Sequence, residues 1–419
     1  MHDRGETLLS GGPTVTEQHT PAQDATELER VLFEIKKVIV GQDRMVERML
    51  VCLLSRGHCL LEGVPGVAKT LAVETLARVV GGTFTRIQFT PDLVPADILG
   101  TRIYKASSEA FDVELGPVFA NFLLADEINR APAKVQSALL EVMAEKQVSI
   151  GGKTHKLPTP FLTLATQNPI EQEGVYPLPE AQRDRFLMKI VVGYPTDIEE
   201  REIVYRMGVR PPQPKQIIDP ESLLRLQAAA DEVFVHNALV DYAVRLVLAT
   251  RAPAEHGLSE IANLISYGAS PRASLGLVAA TRALALMRGR DYALPQDLQD
   301  VAPDILRHRL VMSYDALADG VPAEYVVERV MASVPLPTVA PRQSAAPRRP
   351  VPVSALPGQP ALPGQPALPQ RPGPQPTLGG PPPVPPAPGA HARPTSGQPT
   401  TSLNKTADGG WAADTERPA

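Results

Sequence analysis

From Glu27 to about Arg56, the stretch "ELERVLFEIKKVIVGQDRMVERMLVCLLSR" repeats its apolar residues at helical spacing and breaks once, at Gly41. A stripe of that period is one face of an amphipathic helix, so the segment predicts two helices joined by a short turn. The pattern then changes to short apolar runs: "HCLLE" (58–62), "TRIQF" (85–89), "NFLLADE" (121–127), "FLTLATQ" (161–167) and "FLMKIVV" (186–192). Helical patterns separate several of these runs, notably at 69–80 and 131–145. The alternation predicts an α/β fold, a parallel sheet covered by helices on both faces. Two stretches, 102–119 and 147–158, read as hairpins inserted into that frame, the second turning at Gly151 and Gly152. From Asp219 onward "PESLLRLQAAADEVF", "NALVDYAVRLVLATRA", "PRASLGLVAATRALALMRG" and "LPQDLQDVAPDILRHRL" are successive amphipathic helices. Strands are expected to stop there, which places a second, all-helical domain from about residue 215.

Composition changes the picture at both ends. Of the 45 prolines in 419 residues, 21 fall between Pro341 and Pro418, around the repeat "ALPGQPALPGQPALPQ". Such a segment has too little apolar surface to build a core and is expected to be extended, solvated chain. The first 25 residues are polar and lack periodicity. The expected organisation is a flexible arm (1–25), an αβα domain with hairpin insertions (26–214), a helical domain (215–338) and a disordered Pro-rich tail (339–419).

The formal charge is −5, and the tail's seven basic and three acidic residues leave the remainder at about −9. That balance argues against general nucleic-acid binding, which rests on neutralising phosphates. Cys52 and Cys59 are the only cysteines, both next to apolar residues, which points to buried, reduced thiols and a cytoplasmic setting. No apolar run reaches the length of a transmembrane helix. The eight histidines lack the spacing of a zinc site.

The chemistry concentrates in "GVPGVAKT" (63–70), between an apolar strand and a helix. Gly63 and Gly66 let the backbone turn its amides inward, Lys69 opens the helix, and Thr70 offers a hydroxyl to Mg²⁺. Ala68 stands where the consensus loop has glycine; it suits the loop provided its φ is helical or nearly so. "NFLLADEINR" ends a strand on Asp126 and Glu127, which are costly there without a cation or polar partner. In an ATPase the first carboxylate serves Mg²⁺ and the second activates water. Asn168 ends the next strand, Arg183 and Arg185 precede the last one, and Arg272 heads a later helix. Arriving in this order, they read as groups placed around a γ-phosphate.

The succession "VGQ", "GVPGVAKT", "LLADEINRAPAKVQSALLEVMAE", "TLATQNPIEQEGVYPLPEAQRDRF" and "GASPRA" resembles the MoxR branch of the AAA+ ATPases over roughly residues 26 to 335. In that branch alanine before the lysine is familiar. The resemblance implies an αβα nucleotide domain, a helical lid and a ring, commonly a hexamer, that binds ATP with Mg²⁺. It assigns Val40, Gly41 and Gln42 to the adenine pocket, and Gly63, Val64, Pro65, Gly66, Val67, Ala68, Lys69, Thr70 and Leu71 to the nucleotide. Thr70 and Asp126 then serve the metal, Glu127 is the catalytic base, Asn168 is sensor 1 and Arg272 is sensor 2 on the lid. Arg185 is the arginine finger reaching into a neighbouring subunit. Arg183 stands where the branch has an apolar residue, which keeps it as the alternative finger.

The implied activity is chaperone-like: a Mg²⁺-dependent ATPase that matures or activates a client, with a von Willebrand factor A domain partner supplied by another polypeptide. Hydrolysis would move the lid against the nucleotide domain, and the hairpins would carry that motion to the client. The alternative is a nucleotide-dependent switch or scaffold whose Pro-rich tail recruits partners. A DNA motor is disfavoured by the acidic body.

Overall fold

A computed structural model of the chain describes residues 20–338, apart from 108, 171–173 and 209–210. Most of the expected arm and all of the expected tail lie outside the described residues. The first helix, α1 (Pro21–Val38), begins within the stretch read as a flexible arm. Its start is coded by a capping box. The Thr20 hydroxyl accepts from the Gln23 amide, the Gln23 side chain answers to the Thr20 amide at 2.7 Å, and Pro21 takes the first helical position.

After α1 and α2 (Asp43–Leu54) come β1 (Cys59–Gly63), α3 (Lys69–Val80) and β2 (Phe84–Gln88). A short helix α4 (Pro95–Leu99) leads into the hairpin β3 (Gly100–Lys105) and β4 (Ala110–Leu115). Next are β5 (Phe122–Asp126), α5 (Ala133–Glu145), the hairpin β6 (Gln147–Ile150) and β7 (Lys153–Lys156), and β8 (Leu162–Gln167). The α/β part closes with α6 (Glu180–Arg183), β9 (Met188–Val192) and α7 (Asp197–Met207). The mainly helical part that follows comprises α8 (Pro220–Glu232), α9 (Asn237–Arg251), α10 (Ser259–Ala262), β10 (Ile265–Tyr267), α11 (Pro271–Met287), α12 (Pro295–Leu306), β11 (Val311–Met312), α13 (Tyr314–Ala318) and α14 (Ala323–Ser333).

The expected end of strands near residue 215 is corrected by β10 and β11, which pair antiparallel among the C-terminal helices. Strands of three and two residues are too short to leave a period-2 signature.

The five short apolar runs form one parallel sheet in the order β2-β5-β8-β1-β9. Alternate residues on each strand feed two separate cores, as the pleat requires. Leu61, Leu124 and Leu164 enter one core with α1, α2 and α3, whereas Leu60, Leu123 and Ala165 enter the other with α5. The first core continues into the C-terminal helices through Leu226, Tyr242, Leu277, Leu284 and Ile305. No described helix is long and apolar enough to cross a membrane.

Buried charge fastens α2 to α12. Arg48, 1% exposed, reaches Asp304 Oδ2 through Nε at 3.0 Å and Asp300 Oδ1 through a terminal nitrogen at 2.5 Å. Arg44 shares the Asp304 oxygen at 3.0 Å, and Arg307 takes the other oxygen at 3.0 Å. Removing one member of a buried pair strands the other charge, so Arg48→Ala is expected to cost about 3–5 kcal/mol. A chemical denaturation midpoint measures this, and an unchanged midpoint would show that the network does not hold the C-terminal helices.

Candidate functional site

The C-terminal ends of the three central strands converge, as ligand sites in parallel sheets do. β1 runs into the loop 63–70, β5 ends on Asp126 and Glu127, and β8 is followed by Asn168. A cleft of about 350 Å³ is lined by Pro65, Gly66, Ala68, Lys69, Thr70, Leu71, Asp126, Glu127, Thr166 and Asn168. A smaller, mainly apolar cavity of about 90 Å³ adjoins it, lined by Val40, Gln42, Gly66, Val67, Ala68 and Leu71, together with Val38, Ile39, Pro195, Ile203 and Met207. A polar compartment beside an apolar one suits a phosphate chain attached to a flat base.

Two glycines are required by geometry. Gly63 lies so close to β9 that a Cβ would stand 2.4 Å from the Val192 carbonyl oxygen, and Gly66 has φ +83°. Gly63 and Val64 do not line either cavity; the Gly63 carbonyl accepts from Lys69 Nζ at 2.5 Å, and Val64 packs on the core. Gly41 also stays off the wall, with φ +64° and the Glu199 carboxyl alongside. Gln42 is pinned by its own amide donating to the Gly193 carbonyl at 2.9 Å.

Ala68 contradicts the condition set from sequence. Its φ is +62°, left-handed rather than helical, so the consensus glycine would sit there without strain. Gln42 (φ +54°) and Glu127 (φ +57°) adopt the same conformation, putting three such residues around one site. Left-handed backbone costs a non-glycine residue about 1–2 kcal/mol, and packing around the cleft must hold it. Ala68→Gly relieves this strain but adds unfolded-state freedom of about 0.5–1 kcal/mol. The expected result is a melting temperature unchanged or slightly raised, with turnover kept. A large loss of turnover would show that the methyl group itself matters.

Lys69 Nζ also faces the Gln167 carbonyl at 3.4 Å. Burial pulls its ammonium below the usual lysine range, against the opposing charges of Asp126, Glu127 and Glu62. Thr70 Oγ1 donates to Asp126 Oδ2 at 3.2 Å. The Thr166 hydroxyl serves both acidic residues, donating to Asp126 Oδ1 at 2.5 Å and accepting from the Glu127 amide at 2.8 Å. From β2, Arg86 Nε donates to Asp126 Oδ2 at 3.0 Å and the Gln88 amide to Glu127 Oε2 at 2.7 Å. Arg130 pairs with the same Glu127 oxygen at 2.9 Å. Buried Asn168 turns its Oδ1 to the Ile170 amide at 3.2 Å.

Sequence reading missed Arg86, Gln88, Arg130 and Thr166. Strand register could have found the first two, because Gln88 lies opposite Asp126 in the β2–β5 pair.

The arginines lie elsewhere, and none of the three lines the cleft. Arg185 is exposed and donates to the Leu140 carbonyl within α5. Arg183 is half-buried, faces Glu180 at 3.6 Å and has an enclosed Nε. Arg272 is exposed and meets Asp184 at 3.3 Å.

Among the described residues, no group of three or more His, Cys, Asp or Glu side chains could hold a metal by itself. The Thr70 hydroxyl and the Asp126 carboxylate are nevertheless a fitting pair of hard oxygen donors. Mg²⁺ is commonly held by one or two such groups together with substrate phosphates.

The family model described as "ATPase family associated with various cellular activities (AAA)" matches residues 58–188, and the model for an AAA lid domain matches residues 257–330. Chaperone MoxR1 of Mycobacterium tuberculosis is 69% identical over 318 residues, which cover 76% of this chain and 84% of the relative. The chain belongs to the MoxR family of AAA+ ATPases. A more distant family member, Protein MoxR of Methylorubrum extorquens, is 33% identical over 296 residues, covering 67% of this chain and 86% of its own. A crystal structure of a Cytophaga hutchinsonii protein shares the architecture at TM-score 0.72 and 47% identity, covering 76% of this chain and 97% of that one. Membership of the MoxR family makes the chain a chaperone-type ATP hydrolase.

Proposed function

We propose that the chain hydrolyses Mg-ATP within a ring of identical subunits, a hexamer, and uses the cycle to mature or activate a client in the cytoplasm. The observation that carries the ring is the placement of Arg185 and Arg272. Both are exposed and neither lines the cleft that holds Lys69, Asp126, Glu127 and Asn168. A γ-phosphate needs cationic stabilisation as charge develops, and arginines from a neighbouring subunit supply it. The exposure of Arg185 favours it as the finger over half-buried Arg183. Arg272, proposed from the resemblance as a sensor on the lid, joins it in serving the neighbour's site.

Within the cleft, the loop amides and Lys69 orient the phosphates, and Thr70 and Asp126 are the residues that would hold the metal. When bound there, Mg²⁺ would supply neutralisation of the phosphate charge. Glu127 takes a proton from the attacking water, which Asn168 positions. Residues 26–214 form the nucleotide domain and 215–338 the lid that moves with the cycle. The client is engaged through the hairpins, the first of which exposes Ile103, Tyr104, Phe111 and Leu115, with a von Willebrand factor A domain protein as partner.

Affinity capture from cell extract with Glu127→Gln in Mg-ATP, against Lys69→Ala, tests this reading. A protein retained only by the ATP-locked variant is the expected client. Equal capture by both variants, lost when residues 339–419 are deleted, would favour a scaffold working through the tail.

A further inference from the structure

Asp184 stands between Arg183 and Arg185, and its carboxylate is turned toward the lid. Oδ1 accepts from Arg309 Nε at 2.9 Å, Ser270 Oγ lies 2.9 Å from Oδ1 and 2.8 Å from Oδ2, and Arg272 reaches Oδ2 at 3.3 Å. Ser270 is the N-cap of α11, and its hydroxyl oxygen also accepts from the Arg272 amide at 3.2 Å. The hydroxyl therefore gives its proton to Asp184 and its lone pair to the first turn of the helix that carries Arg272.

The opposite side of the carboxylate is equally constrained. The Arg309 side chain is 2% exposed, and its remaining donors go to the carbonyls of Phe186, Leu187 and Ile305. Phe186 is fully buried, and the His308 ring adds a 3.0 Å contact to the same Phe186 carbonyl. Both chain neighbours of Arg185 are thus tied to the lid, one through its side chain and the other through its carbonyl. Charge-assisted bonds of this kind are strong and directional, and a pair enclosed this deeply leaves little room for independent movement.

We propose that Asp184 is a positioning residue that joins Arg185 and Arg272 into one rigid unit, presented together to the neighbouring subunit's nucleotide. Lid and finger then cannot move separately: a shift of α11 carries Arg185 with it. The inference rests on the reading that these arginines act in trans. It adds that their mutual geometry is set by a single carboxylate contributing nothing to its own subunit's cleft.

The test is subunit complementation. Asp184→Asn keeps the size of the side chain and removes the charge that holds Arg309 and Arg272. Alone, it is expected to bind ATP as the parent does, with KM little changed and turnover lowered roughly 10- to 100-fold through misplacement of the arginines. Mixed with Lys69→Ala, turnover is expected to return in part. The Lys69→Ala subunit supplies an intact arginine unit to the intact cleft of the Asp184→Asn subunit. A merely structural lesion of the cleft would not be rescued in this way. Ser270→Ala, which removes only the bridging hydroxyl, should show a smaller loss with the same rescue, and it replaces Asp184→Asn if that variant does not fold. Arg185→Ala mixed with Lys69→Ala is the control. If the control fails to complement, the trans reading falls and this inference with it. If the control succeeds but Asp184→Asn turns over normally alone, or is not rescued, the positioning role is wrong while the trans reading stands.

Discussion

Glu127→Gln is expected to bind Mg-ATP as tightly as the parent and to lose turnover by about 10²–10⁴, the usual worth of a positioned general base. The amide is nearly isosteric with the carboxylate and still accepts from Gln88 and Arg130, which now meet Glu127 at 2.7 and 2.9 Å. It cannot take a proton from water. The neighbouring Asp126 is untouched and keeps its 2.5 Å bond from Thr166, so the metal side of the site survives. Lys69→Ala is the informative contrast. It removes the cation in contact with the Gly63 carbonyl at the mouth of the loop, and nucleotide binding should fall together with turnover. Equilibrium binding of a fluorescent ATP analogue, measured beside phosphate release, separates the two. A Glu127→Gln protein that still hydrolyses ATP at the parental rate would remove Glu127 from the role of base.

Arg185→Ala carries the second large expectation, a loss of about 10³–10⁵ in turnover with the cleft's own affinity for nucleotide retained. The side chain is exposed, and its bond in the subunit goes to a backbone carbonyl, Leu140, so its removal should cost little stability. Arg183→Ala is the comparison. Half-buried and beside Glu180, it should reduce turnover far less. The reverse order of effects would exchange the roles of the two arginines.

Much of the site was legible because its parts are local. A glycine loop before Lys69, an acidic pair closing an apolar run and an Asn closing the next are each readable within a few residues, and their order along a parallel sheet brings them together. What escaped depends on contacts between distant residues or on backbone angles. Arg86, Gln88 and Thr166 meet Asp126 or Glu127 across about 40 positions of sequence, through strand pairing that no window can see. The left-handed conformation of Ala68 is invisible in its identity, because alanine ordinarily signals helix. The start of α1 was readable in principle, since Thr20 and Gln23 have capping-box spacing; weak apolar periodicity ahead of residue 26 hid it. The role of Asp184 was hidden between two arginines that drew the reading to themselves, and only the folded lid brings Ser270 and Arg309 to it.

The central claim, that hydrolysis is completed between subunits, is tested most directly by phosphate release per chain over a dilution series, with mass followed by light scattering in the same samples. The account predicts turnover per chain that falls as the assembly dissociates and is almost nil for single chains, although each still binds ATP. A single chain that hydrolyses ATP at the rate of the assembly would contradict it.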